Sequence, residues 1–179
     1  MDINLIVNIS SRAWSLRILA LMHQGTPGRQ APLLAKTNAG RTAFGQSLRH
    51  LIDLGLVERN PGHGHPLRPE YRLTAQGIEA AALADQIEHA APQDIGNTLL
   101  RRTWTVPVLA VSHQPVFFSD IKAALPAITD RALSQSLKQL RACEWVTRDV
   151  STEVSPPRAV YQTINAGAFI GAALTAVRQ

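Results

Sequence analysis

Residues 46–59 read QSLRHLIDLGLVER and residues 135–148 read QSLKQLRACEWVTR, so one pattern occurs twice in the chain at an offset of 89 residues. Two further pairs of segments repeat in the same order at an offset of 90, namely 12–24 with 102–114 and 71–77 with 161–167. Three pairs of similar segments, in the same order and at nearly the same offset, indicate an internal duplication. An alanine-rich helical pattern ends at Pro92, which predicts two units covering residues 1–91 and 92–179.

Both copies predict the same order of elements, which is helix, helix, helix, hairpin, helix. In the first copy the predicted elements are helices at 12–23, 30–36 and 41–52, strands at 56–59 and 71–73, and a helix at 75–89. In the second copy they are helices at 100–112, 118–125 and 130–142, strands at 145–148 and 160–163, and a helix at 166–177. The expected fold class is therefore mainly α with small β-hairpin wings, built as two tandem winged helix-turn-helix domains.

The third helix of each copy has the clearest amphipathic pattern. Apolar residues form one stripe at helical spacing, which comprises Phe44, Leu48, Leu51 and Ile52 in the first copy and Leu133, Leu137 and Leu140 in the second. Gly55 is placed to close the first of these helices, and Thr129 is placed to cap the second. We expect each helix to bury this stripe and to present its opposite face to solvent.

The second copy resembles the HxlR-type bacterial transcriptional regulators. The resemblance depends on a tryptophan opening the first helix and on the segments FSDI (118–121), LSQSLKQL (133–140) and PPRAVY (156–161). The first copy is less similar, but the resemblance covers nearly the whole chain. It implies winged-helix domains that bind DNA. Members commonly carry one such domain and dimerise, and many have a cysteine just before the first helix. This chain has two domains and lacks that cysteine in both, so sensing through that thiol is not implied.

The predicted partner is double-stranded DNA. The major groove admits a helix, and arginine, lysine and glutamine side chains can read base edges there. The expected base-reading residues are Arg41, Thr42, Gln46 and Arg49 in helix 41–52, and Arg131, Ser134, Gln135 and Lys138 in helix 130–142. Phosphate contacts are expected from a basic wing at 59–72 through Arg59, Arg68 and Arg72, and from Arg158 in the second wing. Because the two reading faces differ, the predicted target is an imperfect inverted repeat.

Composition and charge agree with this prediction without proving it. The net charge of +5 favours polyanions. A single cysteine, Cys143, fits a reducing compartment, and neither a secretory leader nor a run of about 20 apolar residues is legible, so we expect a cytoplasmic protein that does not enter the membrane. His63 and His65 alone make a weak metal motif. With no catalytic motif either, we expect no cofactor, no metal and no enzyme activity.

Several alternatives stay open. A winged helix can also serve as a protein-interaction module without reading DNA. The final helices could then bind a partner through Ile78, Leu83, Ile87, Phe169, Ile170, Leu174 and Val177, although the simpler expectation is that these residues dock the two halves or close a homodimer. Trp14, Trp104 and Trp145 could line a small-ligand pocket, but large aromatic residues at such positions more often belong to the core. A small-molecule effector and a homodimer are compatible with the sequence.

Overall fold

The computed structural model describes residues 2–65, 68–92, 98–152 and 156–176. The first half contains α1 (Ile3–Ser10), α2 (Ser15–His23), α3 (Gln30–Thr37), α4 (Arg41–Asp53), β1 (Val57–His65), β2 (Arg68–Leu73) and α5 (Ala75–Ala90). The second half contains α6 (Thr105–Val111), β3 (Val116–Phe117), α7 (Phe118–Ala124), α8 (Asp130–Ala142), β4 (Val146–Ser151), β5 (Arg158–Thr163) and α9 (Asn165–Ala176). Both halves are therefore mainly helical with a small antiparallel hairpin, as the duplicated sequence predicts.

The hairpins keep equivalent registers at their bases. Val57 lies opposite Leu73 in the first half, and Val146 lies opposite Thr163 in the second. The register of the first hairpin shifts between Arg59 and Gly64, in a stretch that contains proline, a residue without a backbone donor. The second hairpin is paired regularly along its length.

A third short strand, β3, was not predicted. Phe117 pairs with Val160 at the edge of β5, and the first half has a single bridge between Arg29 and Glu70 at the equivalent place. Both contacts join the entry of the second helix of each unit to the wing. Two paired residues are too short for a period-two pattern, so the sequence carried no signal for this strand.

The structure also contains an N-terminal helix, α1, that was not predicted from the sequence. In addition, the first predicted helix of each unit begins later than expected. Residues 12–14 and 102–104 form a turn, in which the Ser15 amide donates to the Arg12 carbonyl at 3.2 Å and the Thr105 amide donates to the Arg102 carbonyl at 3.2 Å. Trp14 and Trp104 therefore stand just before α2 and α6 rather than inside them.

The two halves share one continuous apolar core. The terminal helices α5 and α9 pack on each other, and α1 packs against α6 of the second half. These four helices meet around a small apolar cavity lined by residues that include Ile6, Leu83, Val106 and Leu174. The apolar stripes of the terminal helices therefore dock the halves, which was the simpler of the two expectations. Ile78 and Phe169 remain exposed, and the side chain of Val177 lies outside the described residues.

In the described ranges, no single helix has the length and apolar character needed to cross a membrane. The pair formed by α1 and α2 meets those two criteria only when taken together, and the two helices are bent by 103° relative to each other.

Candidate nucleic-acid interface

Helix α4 presents a polar face above a buried apolar stripe. Phe44, Leu48 and Leu51 are buried, and Ile52 is half-buried, because the helix packs these residues onto the core of the first half. The four residues predicted to read DNA from this helix, Arg41, Thr42, Gln46 and Arg49, are all exposed. A left-handed residue, Asn38 with φ 56°, makes the turn between α3 and α4, which is the turn of the helix-turn-helix.

Helix α8 repeats this arrangement in the second half. The Thr129 hydroxyl accepts a hydrogen bond from the Ala132 amide at 3.2 Å, so the predicted N-cap is confirmed. Leu133, Leu137 and Leu140 are buried. The predicted reading residues on the opposite face, Arg131, Ser134, Gln135 and Lys138, are all exposed. We call α4 and α8 the candidate recognition helices.

The two candidate recognition helices end differently. In the first half Gly55, which follows the C-cap residue Leu54 of α4, adopts φ 70°, as predicted from its position. In the second half the equivalent residue is Glu144, which is held at φ 55°. A residue with a Cβ atom is strained in this left-handed conformation, so the second half tolerates a strained residue where the first half uses glycine.

His50 anchors α4 from its inner side. Its Nε2 atom lies 2.7 Å from the Asn8 carbonyl oxygen and 3.1 Å from the Ser11 hydroxyl. Because a carbonyl can only accept, Nε2 carries the hydrogen in the bond to Asn8. This contact ties α4 to the C-terminal end of α1. Sequence reasoning missed it because α1 itself was not predicted and the partners are about 40 residues apart.

The first wing contains an arginine that forms an ion pair with a carboxylate of the same hairpin. Arg59 on β1 and Arg72 on β2 are both exposed. The Arg72 Nε donates to a Glu58 carboxylate oxygen at 2.6 Å, so its charge is shared within the hairpin. The side chain of Arg68 lies outside the described residues, as do those of His63 and His65.

Arg158, the residue predicted from the second wing, lies opposite Ser151, at the end of the β4–β5 pairing that is farthest from the base of the hairpin. Its guanidinium carbon lies 4.6 Å from the centre of the Phe117 ring, and Nη2 donates to the Ser119 hydroxyl at 2.9 Å. The side chain is exposed, so these contacts orient the cation without removing it from solvent. The contacts with Phe117 and Ser119 place its guanidinium group beside the start of α7.

The tryptophans divide between core and surface. Trp145 is buried, which agrees with the expectation of a core role, whereas Trp14 and Trp104 are half-buried. Cys143 is half-buried as well. Among the residues that the structure describes, no three histidine, cysteine, aspartate or glutamate side chains lie close enough together to hold a metal ion.

The profile of the HxlR-like helix-turn-helix family matches this chain twice, over residues 9–96 and 99–179. The chain belongs to the HxlR-like helix-turn-helix family. As an HxlR-like protein it carries two family units in one polypeptide, and the candidate recognition helices occupy equivalent places in both.

No curated protein matches this HxlR-like chain. Among solved structures, a transcriptional regulator of the MarR family from Porphyromonas gingivalis W83 is similar at a TM-score of 0.42 and 18% identity, over 49% of this chain and 86% of that one.

Proposed function

We propose that this HxlR-like protein is a sequence-specific, DNA-binding transcriptional regulator whose helices α4 and α8 enter major grooves of one duplex. The observation that carries the proposal is that both units hold a basic and amide face in solvent above a buried apolar stripe. Family membership supports the same function. A helix that is anchored on one side and polar on the other is suited to a groove that accommodates one helix.

The chemistry of the exposed faces favours particular base contacts. Arg41, Arg49, Arg131 and Lys138 suit guanine acceptors, Gln46 and Gln135 suit adenine, and Thr42 and Ser134 can bond to either base or phosphate. In the wings we assign phosphate contacts to Arg59, Arg68, Arg72 and Arg158. Since Arg72 is paired with Glu58, we expect this pair to reduce the contribution of Arg72 to phosphate binding.

The packing between the halves supports DNA binding by both candidate recognition helices of one chain. Because α5 and α9 pack on each other, each chain holds two candidate recognition helices in one body. We propose that these read an imperfect inverted repeat with half-sites about 34–36 Å, or one helical turn, apart.

We further propose the division into units 1–91 and 92–179, a cytoplasmic location and a non-enzymatic role. Light scattering of the DNA complex would show whether one chain or a homodimer occupies the site.

The decisive experiment is selection of bound DNA from a random library, followed by affinity measurements on the selected sequence. We expect Arg49→Ala and Lys138→Ala each to weaken specific binding by roughly 1–3 kcal/mol, or about 5- to 150-fold in Kd. Arg12→Ala removes an exposed arginine from the turn before α2 and serves as the matched control, with an expected change below about twofold. Affinity should fall steeply with salt.

Unchanged binding in both helix variants would remove α4 and α8 from the interface. Selection that yields no preferred sequence, together with affinity that is insensitive to salt, would instead favour the protein-interaction module.

A further inference from the structure

His50 lies in the last turn of α4, directly after Arg49. The residue is half-buried, and its Nε2 atom donates to the Asn8 carbonyl at 2.7 Å, with the Ser11 hydroxyl 3.1 Å away. The Asn8 carbonyl belongs to the last turn of α1, where helix carbonyls lack regular intrahelical partners and a histidine side chain can bond to them. The bond therefore joins the end of one candidate recognition helix to the end of α1.

Helix α1 is fixed to the second half of the molecule. Its main packing partners are α6 of the second half and α2 of the first. Ile6 and Ile9 are buried, and both line the small apolar cavity to which Val106 and Leu174 of the second half contribute. Because this face is packed into the core, α1 cannot shift without disturbing the second half. Helix α1 thus touches the second half with its buried face and α4 with its C-terminal end.

The bond from His50 completes a short path between the two candidate recognition helices. Helix α4 packs mainly against α2, α3 and β1, which all belong to its own half. Helix α6 packs against both α1 and α8. The path from α4 through His50 to α1, α6 and α8 is therefore shorter than the path through α2, α5 and α9. Loss of the bond leaves the longer path in place, so the halves stay joined while α4 gains freedom.

Half-site spacing depends on the placement of α4 relative to α8. Two recognition helices held about one helical turn apart read half-sites at that separation. One base pair added between the half-sites moves them apart by about 3.4 Å and rotates one against the other by roughly 35°. A firmly positioned α4 therefore binds one spacing better than its neighbours, and a loosely positioned α4 accepts several.

We propose that His50 is a positioning residue, which fixes α4 relative to the second half and thereby sets the half-site spacing that the protein accepts. The part on spacing rests on the proposed function. His50 acts on DNA only through α4 and α1, so its effect should fall on spacing and leave base preference within each half-site unchanged.

The first test uses the full chain without DNA. Spin labels at Asp53→Cys on α4 and Arg141→Cys on α8, with the single native cysteine removed by Cys143→Ser, report the distance between the helices by pulsed electron paramagnetic resonance. Both labelled positions are exposed. We expect His50→Leu to widen the distance distribution at least about 1.5-fold. An unchanged width would overturn the proposal.

His50→Gln is the matched conservative variant. Glutamine keeps an N–H donor, and the second half has Gln139 at the equivalent position, 89 residues further on. We expect this variant to keep the width of the distance distribution within about 1.2-fold of the wild-type value, because the donor to Asn8 is retained. If His50→Gln widened the distribution as much as His50→Leu, the hydrogen bond would not be the positioning contact.

The second test measures affinity for selected DNA whose half-sites are moved apart or together by one base pair. We expect the wild type to prefer the selected spacing at least about tenfold. His50→Leu should reduce this preference about threefold, because a neutral hydrogen bond contributes roughly two- to tenfold to an equilibrium. Base preference within the half-sites should stay that of the wild type, since Gln46 and Arg49 are unchanged.

Ile52→Ala separates positioning from stability. Ile52 is half-buried and packs on the core, so its truncation should lower the urea midpoint while the spacing preference stays within about 1.5-fold of the wild-type value. An unchanged spacing preference in His50→Leu, an equal change in Ile52→Ala, or a wild type that binds all spacings equally would overturn the part on spacing. Failure of the wild type to bind DNA would refute the proposed function, and the label distances would still decide whether His50 fixes α4.

Discussion

Replacing Gly77 by alanine should break the junction between α5 and the first hairpin. A Cβ atom built on Gly77 would lie 1.8 Å from the Leu56 carbonyl oxygen, and one built on Gly167 in the second unit would lie 2.1 Å from the Trp145 carbonyl oxygen. In both units, therefore, the first turn of the terminal helix rests directly on the backbone that enters the hairpin. Backbone atoms cannot rotate away as a flexible side chain would, so the helix or the strand must move.

The magnitude follows from three contributions. Overpacking a well-packed site typically costs about 1–3 kcal/mol. Moving α5 also weakens the bond that the Thr74 amide donates to the same Leu56 oxygen at 3.1 Å, which contributes about 1 kcal/mol. Alanine regains roughly 0.5–1 kcal/mol from helix propensity. The net expectation for Gly77→Ala is a loss of about 2 kcal/mol in the free energy of unfolding.

Urea denaturation followed by far-UV circular dichroism measures this change. The matched control is Gly45→Ala, because Gly45 is exposed inside α4 and a Cβ atom there would meet nothing within 4 Å. We expect the control to be stabilised by about 0.5–1 kcal/mol. If Gly77→Ala were as stable as Gly45→Ala, the close approach of α5 to the hairpin would not constrain the fold, and the reasoning would be wrong.

Three further changes test local features of the structure. Glu144→Gly should stabilise the protein by about 1 kcal/mol, because glycine relieves the strain of the left-handed conformation and the exposed Glu144 side chain gives up no packing; a lower urea midpoint would contradict this. Thr129→Ala should cost about 1 kcal/mol through loss of the N-cap of α8, whereas Thr129→Ser should retain most of it, and equal stability of the two variants would argue against capping. Burial raises the pKa of Glu88 above its ordinary value of 4.5 in spite of the neighbouring Arg17, so the folded protein holds this proton more tightly than the unfolded chain does. The stability that protonated Glu88 contributes is present below pH 4.5 and is lost as the pH rises through the folded-state pKa of Glu88. When the urea midpoint is measured at a series of pH values, Glu88→Gln should therefore show a smaller change of midpoint over that pH range than the wild type does.

Local patterns were sufficient to predict the candidate recognition helices. The bounds of α4 and α8 agree with the predicted 41–52 and 130–142 to within one residue, because the apolar stripe, the Thr129 cap and Gly55 all act over a few residues of chain. The exposure of Gln46 and Gln135 follows from the same stripe, since helical geometry places them opposite the buried leucines. Their contacts with DNA stay a prediction.

Features that depend on distant parts of the chain could not be predicted in this way. The bond from His50 to Asn8 joins residues that are 42 apart, and the Arg17 to Glu88 pair joins residues that are 71 apart. Neither pair shows a pattern along the chain. The pairing of Arg72 with Glu58 likewise depends on hairpin register, which is why an arginine assigned to phosphate contact turned out to share its charge with a carboxylate.

The sequence by itself determined the duplication, the order of elements in each unit and the polar faces of α4 and α8, because periodicity, capping and glycine placement are short-range properties of the chain. Only the tertiary structure decided that α5 and α9 hold the units together, that α1 packs against the second unit, and that Arg101 lies over the Trp14 ring. Packing and ion pairing depend on which surfaces meet in space, and residues far apart in sequence carry no local record of that meeting.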